Sequence, residues 1–593
     1  MTASPSSGVV AALAAAAIAA ASPLAAQVSA PLDIVPQPVE APEPVVAAPE
    51  TVVGEPLPEP EPAVEVGEAG TVDPESVGLI EEADGGFGFD MWRGSDRGIV
   101  ERLLPMLPTG LTSRAMNGLV RRLLLSTAAP PAGRAEVNLL ALRIERLAAM
   151  GDGVAVNHLM RASPPDLDDT MLAEVRLDAL LLTADYVGAC AQARDLVRRD
   201  DAPYWEKVLI FCEALSDRHD AAALGLALLR ERGIEDDAFD TLLRALAGDA
   251  DARLTSLRDP TALHIAMLRA ARVPVPEDAI ENADPALARA IALTASVPLE
   301  LRLLAAERAE ALDALPTDML GELYASVPFT PEELADPLGS AEADTGPMAR
   351  ALLYQALRIQ VIPAARAEVL RASWALGGEA GGWDGFATAA RVTRDSLLSL
   401  NPSPELVWIA GDAVRALLAS DRWDAIGGWL DLAAAQASAN ADAAAAVASL
   451  GPIAALADND DAWTWDSARF TAWWESRRDL PEPDRRLRAA TLVGLLAALG
   501  SAIPPEALLQ MIDGPPTVWT RIPSPTLLQQ LDSAADAGRV GETVLLALIV
   551  LDPAVPGVPS PFTLAAAVSA LNRVGLEAEA RAIAVEAALA REF

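Results

Sequence analysis

Apolar residues along most of this chain recur at spacings of three and four, as in Leu139, Leu142, Ile144, Leu147 and Met150. That period is one face of an α-helix. Alternating β-branched runs, which would mark strands, are scarce. Helix starts follow one idiom, a capping side chain followed by proline: Asp259-Pro260, Asp284-Pro285, Thr330-Pro331, Ser403-Pro404, Ser524-Pro525 and Ser560-Pro561. The cap oxygen accepts an orphan N–H, and proline lacks only a donor that the first helical position does not use. Thr330 with Glu333 has capping-box spacing.

A second idiom predicts tight turns between helices. Gly151-Asp152-Gly153, Asp185-Tyr186-Val187-Gly188-Ala189, Arg218-His219-Asp220-Ala221-Ala222, Arg422-Trp423-Asp424-Ala425, Gly538-Arg539-Val540-Gly541-Glu542 and Gly575-Leu576-Glu577-Ala578-Glu579-Ala580 each sit between amphipathic stretches. The first three turns are about 34 and 33 residues apart and the last two about 37. This resembles the tetratricopeptide period, most closely over Ala570–Arg581. Residues 235 to 400 do not keep the period. The expected fold is all-α: an irregular α-solenoid of stacked, tetratricopeptide-like hairpins over residues 91–593, with breaks in texture near 235–260 and 375–402. A single hairpin cannot bury its own apolar face, so neighbours must stack.

The first 90 residues have a different texture. An apolar run from Gly8 to Ala21 is followed by the small residues around Ala26, which predicts a signal peptide over residues 1–26. The missing Lys or Arg before the run departs from that pattern. The run is too short for a confident membrane span, and later Ala/Leu stretches are broken by charges, so no integral span is expected. Residues 27–90 are rich in proline and acid, which predicts a disordered linker with polyproline character. Gly85-Gly86-Phe87-Gly88-Phe89 reads as its flexible join to the body.

Charge narrows the partners. The formal net charge is −39, and Lys207 is the single lysine. Nucleic acid is excluded as the main partner, because phosphate binding needs a basic surface. Three histidines and two cysteines argue against zinc, iron–sulfur or haem chemistry, so no cofactor is expected. His158, His219 and His264 have no nucleophile at motif spacing. Asp458, Asn459, Asp460 and Asp461 lack the glycine and terminal Glu of a calcium loop, and read as an acidic helix cap.

Cys190 and Cys212 fall on successive predicted helices. In an exported protein such a pair reads first as a disulfide, the alternative being two buried thiols. The tryptophans cluster late in an aromatic-poor chain. Trp473 and Trp474 are adjacent and are not expected to face one core together, so Trp463, Trp465, Trp473 and Trp474 form a candidate partner-binding patch.

Glu475-Ser476 resembles the catalytic pair of soluble lytic transglycosylases, which also carry an Ala-rich helical superhelix. The companion motifs of that family do not follow, and the flanking Arg477, Arg478 and Asp479 read as a solvated helix end. Met91-Trp92-Arg93-Gly94-Ser95, Leu103–Pro108, Tyr204-Trp205-Glu206-Lys207 and Phe211–Leu215 resemble uncharacterised alphaproteobacterial Ala/Pro-rich exported helical-repeat proteins, some described as antifreeze glycopeptide-related. The resemblance implies a periplasmic location. Ice binding does not carry over, since no regular Thr-Ala-Ala array is present.

The expected function is therefore a non-enzymatic periplasmic scaffold or adaptor that binds a protein partner. The alternatives are a peptidoglycan-acting envelope enzyme and a cytoplasmic interaction protein.

Overall fold

The computed structural model describes residues 73–163, 169–342, 345–457, 465–512, 520–553 and 559–591. Among these residues the protein is all-α. It has helices joined by short turns, three isolated bridges and no strand. The expected signal peptide, residues 27–72 of the expected linker, and the acidic cap at 458–461 lie outside the described residues.

The predicted helix starts hold where a cap side chain has a free N–H to meet. Asp284 accepts from Leu287 N at 2.8 Å, Ser560 from Thr563 N at 3.0 Å, and Thr330 and Glu333 form the reciprocal box. Ser403 and Ser524 occupy cap positions without a side-chain bond. Asp259-Pro260 falls two residues early: the helix Ala262–Ala271 is capped by Thr261 instead.

The six turns share one geometry. Gly151, Ala184, Asp217, Asp421, Gly538 and Gly575 each adopt left-handed φ. The next residue's N–H then bonds back across the helix end: Asp152 to Leu147, Asp185 to Leu180, Arg218 to Glu213, Arg422 to Leu417, Arg539 to Ala534 and Leu576 to Leu571, all at 2.8–3.1 Å. This is the Schellman closure. The recurring turn is thus one backbone device, whatever residue fills it.

Many successive helices pack as pairs, such as Pro285–Ala292 with Leu299–Ala311 and Pro525–Asp536 with Val540–Leu551. The packing is not confined to neighbours, as a simple stack would require. The early helix Arg114–Leu125 packs on the late helices Val540–Leu551 and Glu577–Ala590, and Leu299–Ala311 packs on Pro363–Val392. Every residue from Gly541 to Leu551 is buried. No helix of the described residues is long and apolar enough to cross a membrane.

Two apolar cores result. One spans residues 177 to 327 with Ala351; the other gathers residues 91 to 172 and 341 to 589. The changeover falls near 172–177 and 327–341, away from the texture breaks near 235–260 and 375–402. Composition marks loops, whereas core membership depends on which faces meet.

Residues 73–90 correct the expected linker boundary. Glu75 pairs with buried Arg97 at 2.7 and 2.9 Å and accepts Leu139 N at 3.0 Å. The Phe87 N–H donates to Ser126 Oγ at 3.0 Å, and the Arg122 guanidinium lies 4.4 Å from the Phe87 ring. Proline and acid suggested a solvated tether, but here an acid neutralises a buried arginine and an aromatic anchors the glycine-rich stretch.

Cys190 and Cys212 are paired at disulfide distance, with Cα atoms 5.8 Å apart. They join helix Tyr186–Leu196 to Pro203–Leu215. Reduction is expected to lower unfolding free energy by about 3 kcal/mol. Urea unfolding with and without dithiothreitol measures this, and coincident curves would contradict it.

Candidate functional site

The tryptophan patch is absent where it was expected. Trp473 is fully buried, and Trp465 and Trp474 are only 7% and 6% exposed; Trp463 lies outside the described residues. Helix Ser467–Ser476 has neighbours on two sides, Ala441–Ala457 and Pro505–Met511, so adjacent residues both find cover. Trp474 stacks on Phe470, and the Arg485 guanidinium caps its ring at 4.0 Å. Glu475 is exposed at the end of the same helix.

The histidines are scattered. His158 is exposed and His219 partly so, whereas His264 is buried with Nε2 3.2 Å from Asp236. Asp236 also takes Lys207 Nζ at 2.6 Å. Burial pushes its carboxyl up, but His264, Lys207 and the Phe239 N–H together hold it well below the usual carboxylate range. The group ties three helices together and opens into neither cavity described below.

The chemistry-bearing space is the seam between the two cores, a common place for ligand sites. Two cavities lie there. The larger, about 1040 Å³, has Glu174, Asp178 and Asp284 in its wall. Burial raises the Asp178 carboxyl to about 7, with Glu174 and Asp284 adding to the rise and the Tyr204 hydroxyl opposing it.

The smaller cavity, about 500 Å³, lies between helices Leu299–Ala311 and Pro363–Val392. The second helix bends at Gly381 and Gly382, whose backbones leave helical φ/ψ. Its two arms then meet at glycines: a Cβ on Gly377 would lie 2.5 Å from the Gly385 oxygen, and one on Gly385 2.1 Å from the Gly377 oxygen. Only hydrogen fits at such a crossing.

On the cavity wall, Arg350 holds Glu307 through Nε at 2.9 Å and Nη2 at 2.6 Å, and Tyr324 donates to the same carboxylate at 2.6 Å. Burial would lower the Arg350 pKa, but Glu307 outweighs it and raises it. Tyr324 is pushed up, first by burial and then by Glu307. Asp384 is half-buried, and desolvation lifts its carboxyl above the ordinary range. Just behind lies fully buried Glu310, bound by Arg391, Arg114, Thr388 and Thr317.

Neither Glu307 nor Asp384 carries a recognisable sequence motif. The usable signal was Gly377-Gly378-Glu379-Ala380-Gly381-Gly382-Trp383-Asp384-Gly385, a glycine density no ordinary helix tolerates. Among the described residues, no group of three or more His, Cys, Asp and Glu side chains is arranged to hold a metal ion.

The fold and this seam define an all-α protein with two cores and an ionisable cavity between them. No family model, curated protein or solved structure matches the chain.

Proposed function

We propose that this protein is a non-enzymatic helical scaffold or adaptor that binds a protein partner in the periplasm. One observation carries the reading. Ile359, Val361 and Ile362 stand 62%, 81% and 60% exposed at the turn between helices Pro347–Ile359 and Pro363–Val392. Single exposed apolar residues are ordinary, but three in four positions on a rigidly held turn fit a partner contact. The paired cysteines support an oxidising compartment. Glu307 supports binding over acid catalysis, since both its oxygens are committed to Arg350 and Tyr324.

The test is site-specific crosslinking from position 361 in intact cells. A discrete crosslinked protein is expected from the parent, and at least about tenfold less capture from Val361→Asp with Ile362→Asp, one well-packed contact being worth that much. Equal capture by parent and variant would remove the reading. The substitutions are exposed, so unfolding temperature is expected to be unchanged.

A further inference from the structure

We propose that the outer face of helix His219–Glu231 docks a basic amphipathic helix from a protein partner. This surface belongs to the core of residues 177 to 327. It is separate from the turn at 359–362, so it stands or falls independently of that contact.

The face is open because of how its neighbours pack. Helix His219–Glu231 buries Ala222 and Leu229 and packs on Pro203–Leu215, its one substantial helix neighbour among the described residues. In a stack of hairpins the following helix would cover the other side. Here Asp237–Leu246 packs instead on Ala262–Ala271 and on Pro203–Leu215. Leu224 and Leu228, one turn apart, are left 63% and 52% exposed. The supporting helix is tied to Tyr186–Leu196 by the Cys190–Cys212 pair, so docking orders little new backbone.

Charge selects the occupant. Asp220, Leu224, Leu228 and Glu231 follow one another at spacings of four, four and three, which makes one stripe of a helix. Both acids are exposed, and neither forms an ion pair among the described residues. The arginines beside them are committed elsewhere: Arg218 donates to Glu213 at 2.8 Å, Arg232 to Glu206 at 2.6 Å, and Arg230 to Asp240. The stripe therefore presents two leucines between two unneutralised carboxylates. A helix with leucines on one face and lysine or arginine one turn beyond each end complements it in shape and in charge. Exposed Ala221, Ala223 and Ala227 let such a helix approach closely. An anionic membrane surface would be repelled by the same acids.

The experiment is fluorescence anisotropy of the whole protein with a labelled synthetic peptide of about 15 residues, long enough to form a helix. Its leucines recur at helical spacing on one face, with lysine one turn beyond each end. Saturable binding at one site per chain is expected. Leu224→Asp with Leu228→Asp is expected to weaken it at least about tenfold, and Asp220→Asn with Glu231→Gln about threefold, the effect of two exposed ion pairs. Val361→Asp with Ile362→Asp is expected to bind the peptide as the parent does. A peptide with serine for leucine keeps the charge and is expected to bind far more weakly, which separates the site from the general attraction of an acidic protein. The proposal is overturned if the peptide does not saturate, or if the serine peptide or one with glutamate for lysine binds equally well. It is also overturned if the leucine variant keeps its affinity or the 361–362 variant loses it. Co-sedimentation of the parent, and not of the leucine variant, with phosphatidylglycerol vesicles would equally overturn it. All the substituted residues are exposed, so unfolding temperatures are expected to stay unchanged.

Discussion

Glu310→Ala is expected to lower unfolding free energy by about 3–5 kcal/mol, the cost of leaving a buried charge without its partner. Glu310 is fully buried and meets Arg391 through Nε at 2.7 Å and Nη2 at 2.8 Å. It also takes Arg114 at 2.8 Å, Thr388 at 2.7 Å and Thr317 at 2.8 Å. These partners come from the early chain, the middle of the chain and the second arm of the bent helix. The alanine variant strands Arg391, only 10% exposed, beside Arg114, whose pKa desolvation and Arg391 already lower to about 10. Urea unfolding measures the loss, and a change below about 1 kcal/mol, the size of a surface pair, would contradict it.

The same residue predicts a pH effect. Burial pushes the Glu310 carboxyl up, but Arg391 and the other donors outweigh it and hold the folded pKa below the ordinary carboxylate range. Its contribution is therefore complete above the unfolded pKa, about 4.3, and is lost as pH falls through the lower folded value. Glu310→Gln is expected to flatten that acid limb of the stability curve.

Gly385→Ala is expected to cost about 3 kcal/mol, at the upper end of ordinary overpacking. The added carbon would lie 2.1 Å from the Gly377 carbonyl oxygen, which is backbone and cannot swing aside. The arms must part, and with them the wall that carries Ser373 and Asp384. Gly378→Ala is the control: its Cβ meets nothing nearer than Phe386 at 4.0 Å. That exchange is expected to raise stability by up to about 1 kcal/mol, the helix propensity gain. Thermal and urea unfolding of the pair test the crossing, and equal effects from both substitutions would refute it.

Helical class, the six turns and most helix starts were readable from local pattern. Each depends on residues within about two turns of one another, so period and cap chemistry report them directly. The reading failed where contacts are distant in sequence. Glu75 looked like part of a solvated tether until Arg97 and the Leu139 N–H were seen to receive it. Trp473 and Trp474 looked unable to share a core until helices on two sides covered them.

The amino-acid order settled that this chain makes helices and where it turns, because those choices are made by neighbouring residues. Which helices meet, and hence the two cores and the cavity beside Asp384, came from packing between separate segments, some of them hundreds of positions apart. No spacing rule records that, since burial is a property of the faces that find each other and not of the residues between them.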